Sequence, residues 1–330
     1  MKKKLLGQRN LQVSAIGFGC MGISHGYGAR NDTESLAALQ CGFELGINFF
    51  DTADMYGAGH NEEMLARALT GTRRKEVIIA TKCGFVWDEN GMVTGLNGRP
   101  EYIQKACEAS LRRLNIETID LYYLHRIDPQ ITVEESIGAM SRLVEQGKVR
   151  FLGLSEVTAD ELRRACRVHQ VTALQSEYSL WARDVEQEML PACRELGIGF
   201  VSYGPLGSGF LTGKLKSLTD FPEGDLRRRV PRFQAENFTR NLELVTVVQR
   251  LADEKNCTPA QLVIAWVAAQ GGDVVPIPGT KHRKYLEENL GALNVTLNAG
   301  ELKEIDRVFP PDAAAGSRRT EKMKQMTGRA

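Results

Sequence analysis

Eight short runs recur along this chain, each closing on a polar or turn residue. They are residues 16–19, 47–50 before Asp51, 77–81 before Lys82, 119–124 before His125, 149–154 before Ser155, 171–174 before Gln175, 198–202 before Tyr203, and 274–278 before Gly279 and Thr280. Several are rich in Val, Ile, Leu and Phe and too short for helices, as expected of strands buried on both faces. Helical signals lie between them. Asn31 stands three residues before Glu34, as an N-cap before its partner, with Leu36, Leu39 and Phe43 on one face; a helix around 62–69 follows. Pro100 opens a helix carrying Ile103, Cys107 and Leu111, Thr132 pairs with Glu135 as a capping box, and Gly147 stops that helix. Further helices are expected over about 185–196, after the cap Thr258-Pro259-Ala260-Gln261, and near 299–309.

Alternating strands and helices imply a parallel sheet. Eight such units in 330 residues imply an α/β fold of the (β/α)8 TIM-barrel type, with residues 1–330 forming one domain. The structural rival is a doubly wound sheet. Gly17, Gly19 and Gly22 satisfy the G-x-G-x-x-G spacing, but the fingerprint needs a helix opening at the glycines, and residues 24–30 read as loop. These glycines therefore read as a tight strand exit. Ahead of the repeat, Lys4 to Val13 suggests a β-hairpin (residues 1–14) around Gly7-Gln8-Arg9-Asn10. Residues 214–241 form a long, arginine-rich stretch that reads either as a functional loop or as a solvated excursion. The tail, 310–330, is expected to lie over one end of the barrel.

With 42 basic and 41 acidic residues, net charge +1, no global field points to nucleic acid or an anionic membrane. No apolar run reaches spanning length, and the basic start Met1–Gln8 lacks the apolar core of a signal peptide. Seven scattered cysteines without a C-x-x-C pair suggest a reducing, cytoplasmic setting rather than a disulfide framework. The five histidines show no metal-ligand spacing, so no metal is expected.

In a barrel the strand C-termini share one face. Asp51, Lys82, His125, Ser155, Gln175, Tyr203 and Gly279-Thr280 would then converge on one mouth, with Tyr56 just beyond Asp51. Singly, each has a plain structural reading: a capped turn, a solvated lysine, a hydrogen-bonded histidine, a packing tyrosine. Together, four of them suit proton transfer. A phenol, of pKa about 10, is a weak acid unless its anion is stabilised. The Lys82 ammonium would do that, Asp51 would keep the lysine charged, and His125 would donate to an oxygen gaining charge. Such a group suits protonation of a carbonyl oxygen while hydride reaches the carbon. The hydride requires a cofactor.

The segments Asp51-Thr52-Ala53-Asp54-Met55-Tyr56-Gly57, Thr81-Lys82 and Tyr122-Tyr123-Leu124-His125 resemble the aldo-keto reductase signature. The likeness continues through Gly153-Leu154-Ser155-Glu156, Leu174–Tyr178, Tyr203–Leu211, Ile277–Thr280 and Leu286–Leu290, and is greatest to the bacterial and plant, auxin-induced-protein-like branch. It implies NADPH-dependent reduction of aldehydes and ketones, with Tyr56 as general acid/base assisted by Asp51, Lys82 and His125. It implies that Ser155 and Gln175 hold the nicotinamide carboxamide, that Tyr203 stacks on the ring, and that Leu206, Gly207 and Ser208 line the pyrophosphate. Gly279, Thr280, Lys281, Glu288 and Asn289 would hold the adenosine end, with Arg283 assisting. The cations Lys281 and Arg283 near a helix start suit a 2′-phosphate, hence NADP(H) rather than NAD(H). Glu156 replaces the asparagine common in relatives, and His282 stands where several relatives carry a cation. Tyr27, Trp87, Arg126 and Trp181 are candidate substrate contacts, the two tryptophans equally readable as packing residues. Two rival functions remain: a cofactor-binding regulatory subunit similar to potassium-channel β subunits, and a Schiff-base aldolase using Lys82.

Overall fold

Parallel strands built from doubly buried runs can hide both faces only if helices cover one side and the sheet closes on itself. The computed structural model has this arrangement. It describes residues 1–8, 11–24, 26–69, 71–89 and 91–328; Arg9 and Asn10 of the expected hairpin turn, His25 of the loop after the glycines, and Arg329 and Ala330 of the tail lie outside the described residues. Its strands are β1 (Lys3–Leu6), β2 (Leu11–Ser14), β3 (Phe18–Gly19), β4 (Phe49–Asp51), β5 (Ile78–Cys83), β6 (Phe85–Trp87), β7 (Val93–Leu96), β8 (Ile119–Leu124), β9 (Val149–Ser155), β10 (Val171–Glu177), β11 (Gly199–Tyr203) and β12 (Val274–Pro276). Its helices are α1 (Met21–Ser24), α2 (Asp32–Glu44), α3 (His60–Ala68), α4 (Pro100–Leu114), α5 (Val133–Glu145), α6 (Ala159–Val168), α7 (Met189–Leu196), α8 (Ala235–Glu254), α9 (Pro259–Ala268), α10 (Arg283–Leu290), α11 (Ala299–Val308) and α12 (Glu321–Thr327).

Eight strands form one parallel sheet in the order β3-β4-β5-β8-β9-β10-β11-β12. Gly17 N donates to Pro276 O at 3.0 Å and Gly19 N to Pro278 O at 3.3 Å, joining first strand to last. The two-residue side-chain period divides each strand between two cores. Phe49, Ala80, Leu121, Tyr123, Ala173, Val201 and Val275 point into the barrel, while Phe50, Ile79, Tyr122, Leu124, Leu152, Leu174 and Phe200 pack outward in the core they share with helix residues such as Leu39, Leu65, Ile103 and Ile137. Gly153 is required by this filling: a Cβ there would collide with the Tyr123 ring. The β1–β2 hairpin plugs the N-terminal end, adding Leu6, Leu11 and Val13 to the interior core. Lys4 Nζ fastens it by donating to Ala268 O, Gly271 O and Val274 O at 3.0, 3.0 and 2.7 Å.

Local signals behave largely as the sequence suggests. Asn31 accepts from Glu34 N, Pro100 stands at the start of α4, and Thr258 and Gln261 form a reciprocal capping box. Thr132 accepts from Glu135 N without the return bond, so its expected capping box is half formed. The glycines of residues 17–22 lead into α1, a single helical turn of four residues, and not a dinucleotide-binding helix. The helix expected over 185–196 begins only at Met189, after a separate 3-10 turn at Asp184–Glu186. Pro191 explains this: its ring would clash with the carbonyl four residues earlier in any longer helix, but is tolerated in a first turn.

The main departure is residues 214–241, which do not form one open loop. Short 3-10 turns lead into α8, a 20-residue helix starting at Ala235. Its buried residues Phe238, Val245, Val248, Leu251 and Ala252 keep helical spacing, which the arginine-rich surroundings obscured. No helix among the described residues is long and apolar enough to cross a membrane.

Candidate active site

The alternation that fills the barrel also aims the site. Asp51 lies two residues beyond Phe49, Lys82 beyond Ala80, His125 beyond Tyr123, Gln175 beyond Ala173 and Tyr203 beyond Val201, so each continues the inward phase at the C-terminal mouth. Register aligns them: Asp51 pairs with Ala80, Lys82 with Tyr123, Gln175 with Ser155, and Glu177 with Tyr203. Lys82 is thus inside β5, not past its end, and has no exposed surface.

The Lys82 ammonium donates to Asp51 Oδ1 and, at 2.7 Å, to Thr52 O. Gln175 Nε2 donates to Asp51 Oδ2 at 2.6 Å, so both carboxylate oxygens are engaged. Lys82 Nζ lies 5.2 Å from the centroid of the Tyr56 ring, and the His125 ring meets Tyr56 edge-on at 5.9 Å. Burial raises the Asp51 carboxyl, against the attraction of Lys82 and the bonds from Lys82 and Gln175. Burial, then the Asp51 charge, pushes the Tyr56 phenol well above its usual 10, with Arg126 opposing. The sequence led us to expect an ammonium that eases ionisation of this phenol. In the fold Asp51 pairs with that ammonium and offsets part of its field, and desolvation dominates: Tyr56 is a neutral proton donor.

A cavity of about 520 Å³ opens above these groups. Its wall includes Asp51, Tyr56, His125, Ser155, Gln175 and Tyr203, and, along one arm, Leu206, Ser208, Gly279, Thr280 and Lys281. Of the candidate substrate contacts, Tyr27 and Arg126 line it. Arg126 donates to His125 O at 2.5 Å and to Ser155 Oγ at 3.0 Å.

Other expected contacts stand off this wall. Lys82 is behind Asp51 and Tyr56. Gly207 sits against Trp181, where a Cβ would come within 2.6 Å of the indole. Trp181 is therefore the floor beneath the 204–209 turn, stacked on Phe210 at 5.0 Å and only 2% exposed, and it does not face the cavity. Trp87 is also off the wall, although Phe85 in the same strand lines it; the β6–β7 ladder slips between Val86 and Trp87, which breaks the alternation. Arg283, Glu288 and Asn289 are on α10 beside the cavity arm. Arg283 stands 3.9 Å from Glu34, Glu288 accepts from Lys214 at 2.8 Å, and Asn289 is buried with no partner for its Nδ2 among the described residues.

The fold adds wall residues that sequence reasoning did not single out: Met21, Met55, Phe85, Val93, Leu226, Arg227, Tyr285 and Met323. Leu226 and Arg227 come from the arginine-rich stretch, where Arg227 pairs with Asp225 at 2.7 Å and its guanidinium lies 4.9 Å from the Tyr27 ring. Glu156, noted only as a departure from relatives, is a buried carboxylate accepting from Tyr203 Oη at 3.0 Å and Glu177 N at 2.9 Å. No sequence spacing marks such contacts, because they join segments far apart in the chain.

Fold and cavity together define an α/β-barrel protein with an enzyme-like mouth at its strand C-termini. The chain belongs to the aldo/keto reductase family: the model described as "Aldo/keto reductase family" matches residues 15–309. It is 48% identical over 313 residues to the aldo-keto reductase yakc [NADP(+)] of Schizosaccharomyces pombe, covering 94% of this chain and 92% of that one. It is 45% identical over 317 residues to probable aldo-keto reductase 1 of Glycine max, covering 95% and 90%, which agrees with the plant side of the likeness. A glycerol dehydrogenase from Gluconobacter oxydans superposes with a TM-score of 0.84 at 29% identity, covering 94% and 96%.

Proposed function

We propose that this protein is an NADPH-dependent carbonyl reductase, converting aldehydes or ketones to alcohols, and that residues 1–330 act as a single catalytic domain. The observation that carries this reading is a neutral, buried Tyr56 phenol set between His125 and the Lys82–Asp51 pair on the wall of a cavity. When bound, the nicotinamide supplies hydride to the carbonyl carbon. Tyr56 gives its proton to the carbonyl oxygen, and His125 orients that oxygen. Asp51 would fix Lys82 behind the phenol, and the lysine's remaining field would steady the phenolate left after transfer.

The cavity arm fits an extended dinucleotide. Its floor is bare backbone: a Cβ on Gly279 would come within 3.0 Å of Gly19 O, and one on Gly19 within 2.6 Å of Ile277 O. Ser155 and Gln175, on the cavity wall, would hold the carboxamide, and Tyr203 would meet the ring face. Gln175 spends its amide N–H on Asp51, leaving its carbonyl oxygen to accept from a carboxamide. Lys281 on the wall, Arg283, and Asn289, whose Nδ2 has no partner among the described residues, would form an adenosine-phosphate end, which favours NADP(H) over NAD(H). The relative from S. pombe carries NADP(+) in its name. The Schiff-base alternative finds no support, since Lys82 is off the cavity wall and bonded to Asp51 and Thr52 O. The free state of all seven cysteines suits a reducing cytoplasm.

The test is loss of reduced-nicotinamide absorbance against a panel of aldehydes and ketones, with NADPH and NADH in parallel. Turnover with NADPH supports the reading. Binding of NADPH without turnover across the panel would favour a regulatory subunit instead.

A further inference from the structure

We propose that Glu156 is a positioning residue that ties the C-terminal tail to Tyr203, so that closure of the cavity mouth and grip on the cofactor are one event. The proposal rests on the reading of Tyr203 as the cofactor's ring-stacking residue. Glu156 directly follows Ser155 at the end of β9 and takes a left-handed φ of +55°, unusual for a glutamate and held by its surroundings. Glu156 is 4% exposed, and its carboxylate collects bonds from three parts of the chain. Tyr203 Oη and Glu177 N donate from β11 and β10, at 3.0 and 2.9 Å. From the tail, Arg318 Nη1 stands 3.0 Å and Arg319 Nη2 2.6 Å from Oε2. Arg318 also reaches Asp184 at 3.0 Å and Glu177 at 3.4 Å. Burial pushes the Glu156 carboxyl up, but Arg318, Arg126 and Arg319 outweigh it and bring it to about 2, so the carboxylate is charged at neutral pH.

The same tail builds the roof. Met323, in α12, lines the cavity with Val93 and Phe85 of the β6–β7 hairpin. Lys322 Nζ donates to Val93 O at 3.1 Å, pinning hairpin to tail. The roof thus consists of two segments outside the barrel, and the tail that clamps them is anchored on Glu156. One carboxylate orients the Tyr203 hydroxyl on one side and holds the roof on the other. Releasing the arginines would free both.

The test compares wild type, Glu156→Gln, Tyr203→Phe, the double variant, and Arg318→Ala/Arg319→Ala. NADPH dissociation constants would be measured by fluorescence titration, KM and kcat with an aldehyde, and thermal midpoints alongside. Loss of the charge that Tyr203 and the two arginines bond to predicts NADPH affinity about tenfold weaker in Glu156→Gln. The effects of Glu156→Gln and Tyr203→Phe on that affinity should be non-additive, because both act on the same bond. The arginine variant should raise KM for the aldehyde and weaken NADPH together, and Arg318→Lys/Arg319→Lys should restore both. If Glu156→Gln fails to fold, the arginine variant and Tyr203→Phe still decide the matter. Additive effects, or an arginine variant with wild-type NADPH affinity and KM, would overturn the proposal. Failure of the wild type itself to bind NADPH would instead sink the reading of the site on which it rests.

Discussion

Lys82 and Asp51, from neighbouring barrel strands, form an ion pair in which the lysine is fully buried and the aspartate 2% exposed. Each removes the other's reason for being unfavourable in that position. A buried ammonium without a counter-charge would lose its proton, and a buried carboxylate without a donor would gain one. Gln175 and Thr52 O satisfy the remaining polar groups, so the pair is a fixed electrostatic base beneath Tyr56.

Breaking that pair should therefore cost stability as well as chemistry. Lys82→Met leaves Asp51 buried without its counter-charge, a change worth about 3–5 kcal/mol in comparable sites. Urea unfolding should show the loss as a lower midpoint with an unchanged slope. Lys82→Met/Asp51→Asn, which removes both charges, should recover much of that stability while remaining inactive. A double variant as unstable as the single would contradict the account.

Tyr56→Phe separates chemistry from binding. The phenol gives a proton and does not hold the cofactor, so turnover should fall by about 10²–10⁴ while NADPH affinity stays near wild type. Kinetics and NADPH fluorescence titration on one preparation would check this. Near-normal carbonyl reduction by the variant would remove Tyr56 from its role.

The pH dependence has a definite sign. Burial and Asp51 raise the Tyr56 phenol well above 10, so the neutral, donating form persists across the neutral and mildly alkaline range. Carbonyl reduction should not fall as pH rises through that range from loss of this proton. Alcohol oxidation needs the phenolate and should climb with pH throughout it. For Glu156 the folded carboxyl lies at about 2 against an ordinary 4.5, a depressed value. Its contribution to stability is complete above 4.5 and is lost as pH falls from 4.5 toward about 2. The tail should come loose in that acid window, followed as faster proteolysis at the arginines 318 and 319. Cleavage that is independent of pH there would contradict the clasp.

At the adenosine end, Lys281→Ala/Arg283→Ala should weaken NADPH about tenfold or more and NADH much less, because only the former carries a 2′-phosphate for these cations. The ratio of the two dissociation constants is the measurement. Equal losses would mean the cations serve the barrel and not the phosphate. Such a role is open to Lys281, whose ammonium donates to Tyr27 O and Ala29 O at 2.7 and 2.6 Å.

The barrel was legible because its signal is periodic and local. Runs such as Val77 to Ala80 are apolar at every position, and that pattern has one economical solution: helices outside, side chains inside. The polar residue ending each run marked the mouth by the same logic. Local order failed as a guide where packing decides. Ala235 to Glu254 is helical through Phe238, Val245 and Val248, yet its opening turn is set amid arginines that suggested loop. Trp181 looked like a loop residue at the mouth, but it lies under Gly207, and only three-dimensional neighbours say so.

Sequence alone determined the repeat, the inward phase of Asp51, Lys82, His125, Gln175 and Tyr203, and the family those residues announce. Side-chain period and burial act between residues two to four apart, so a linear string records them. The tertiary structure decided what those groups meet. It placed Asp51 between Lys82 and Gln175, kept the Tyr56 phenol neutral by burial, and brought Arg318 and Arg319 onto Glu156 from more than 160 residues away. Desolvation and long-range ion pairs depend on the whole enclosure, and no short stretch of sequence contains it.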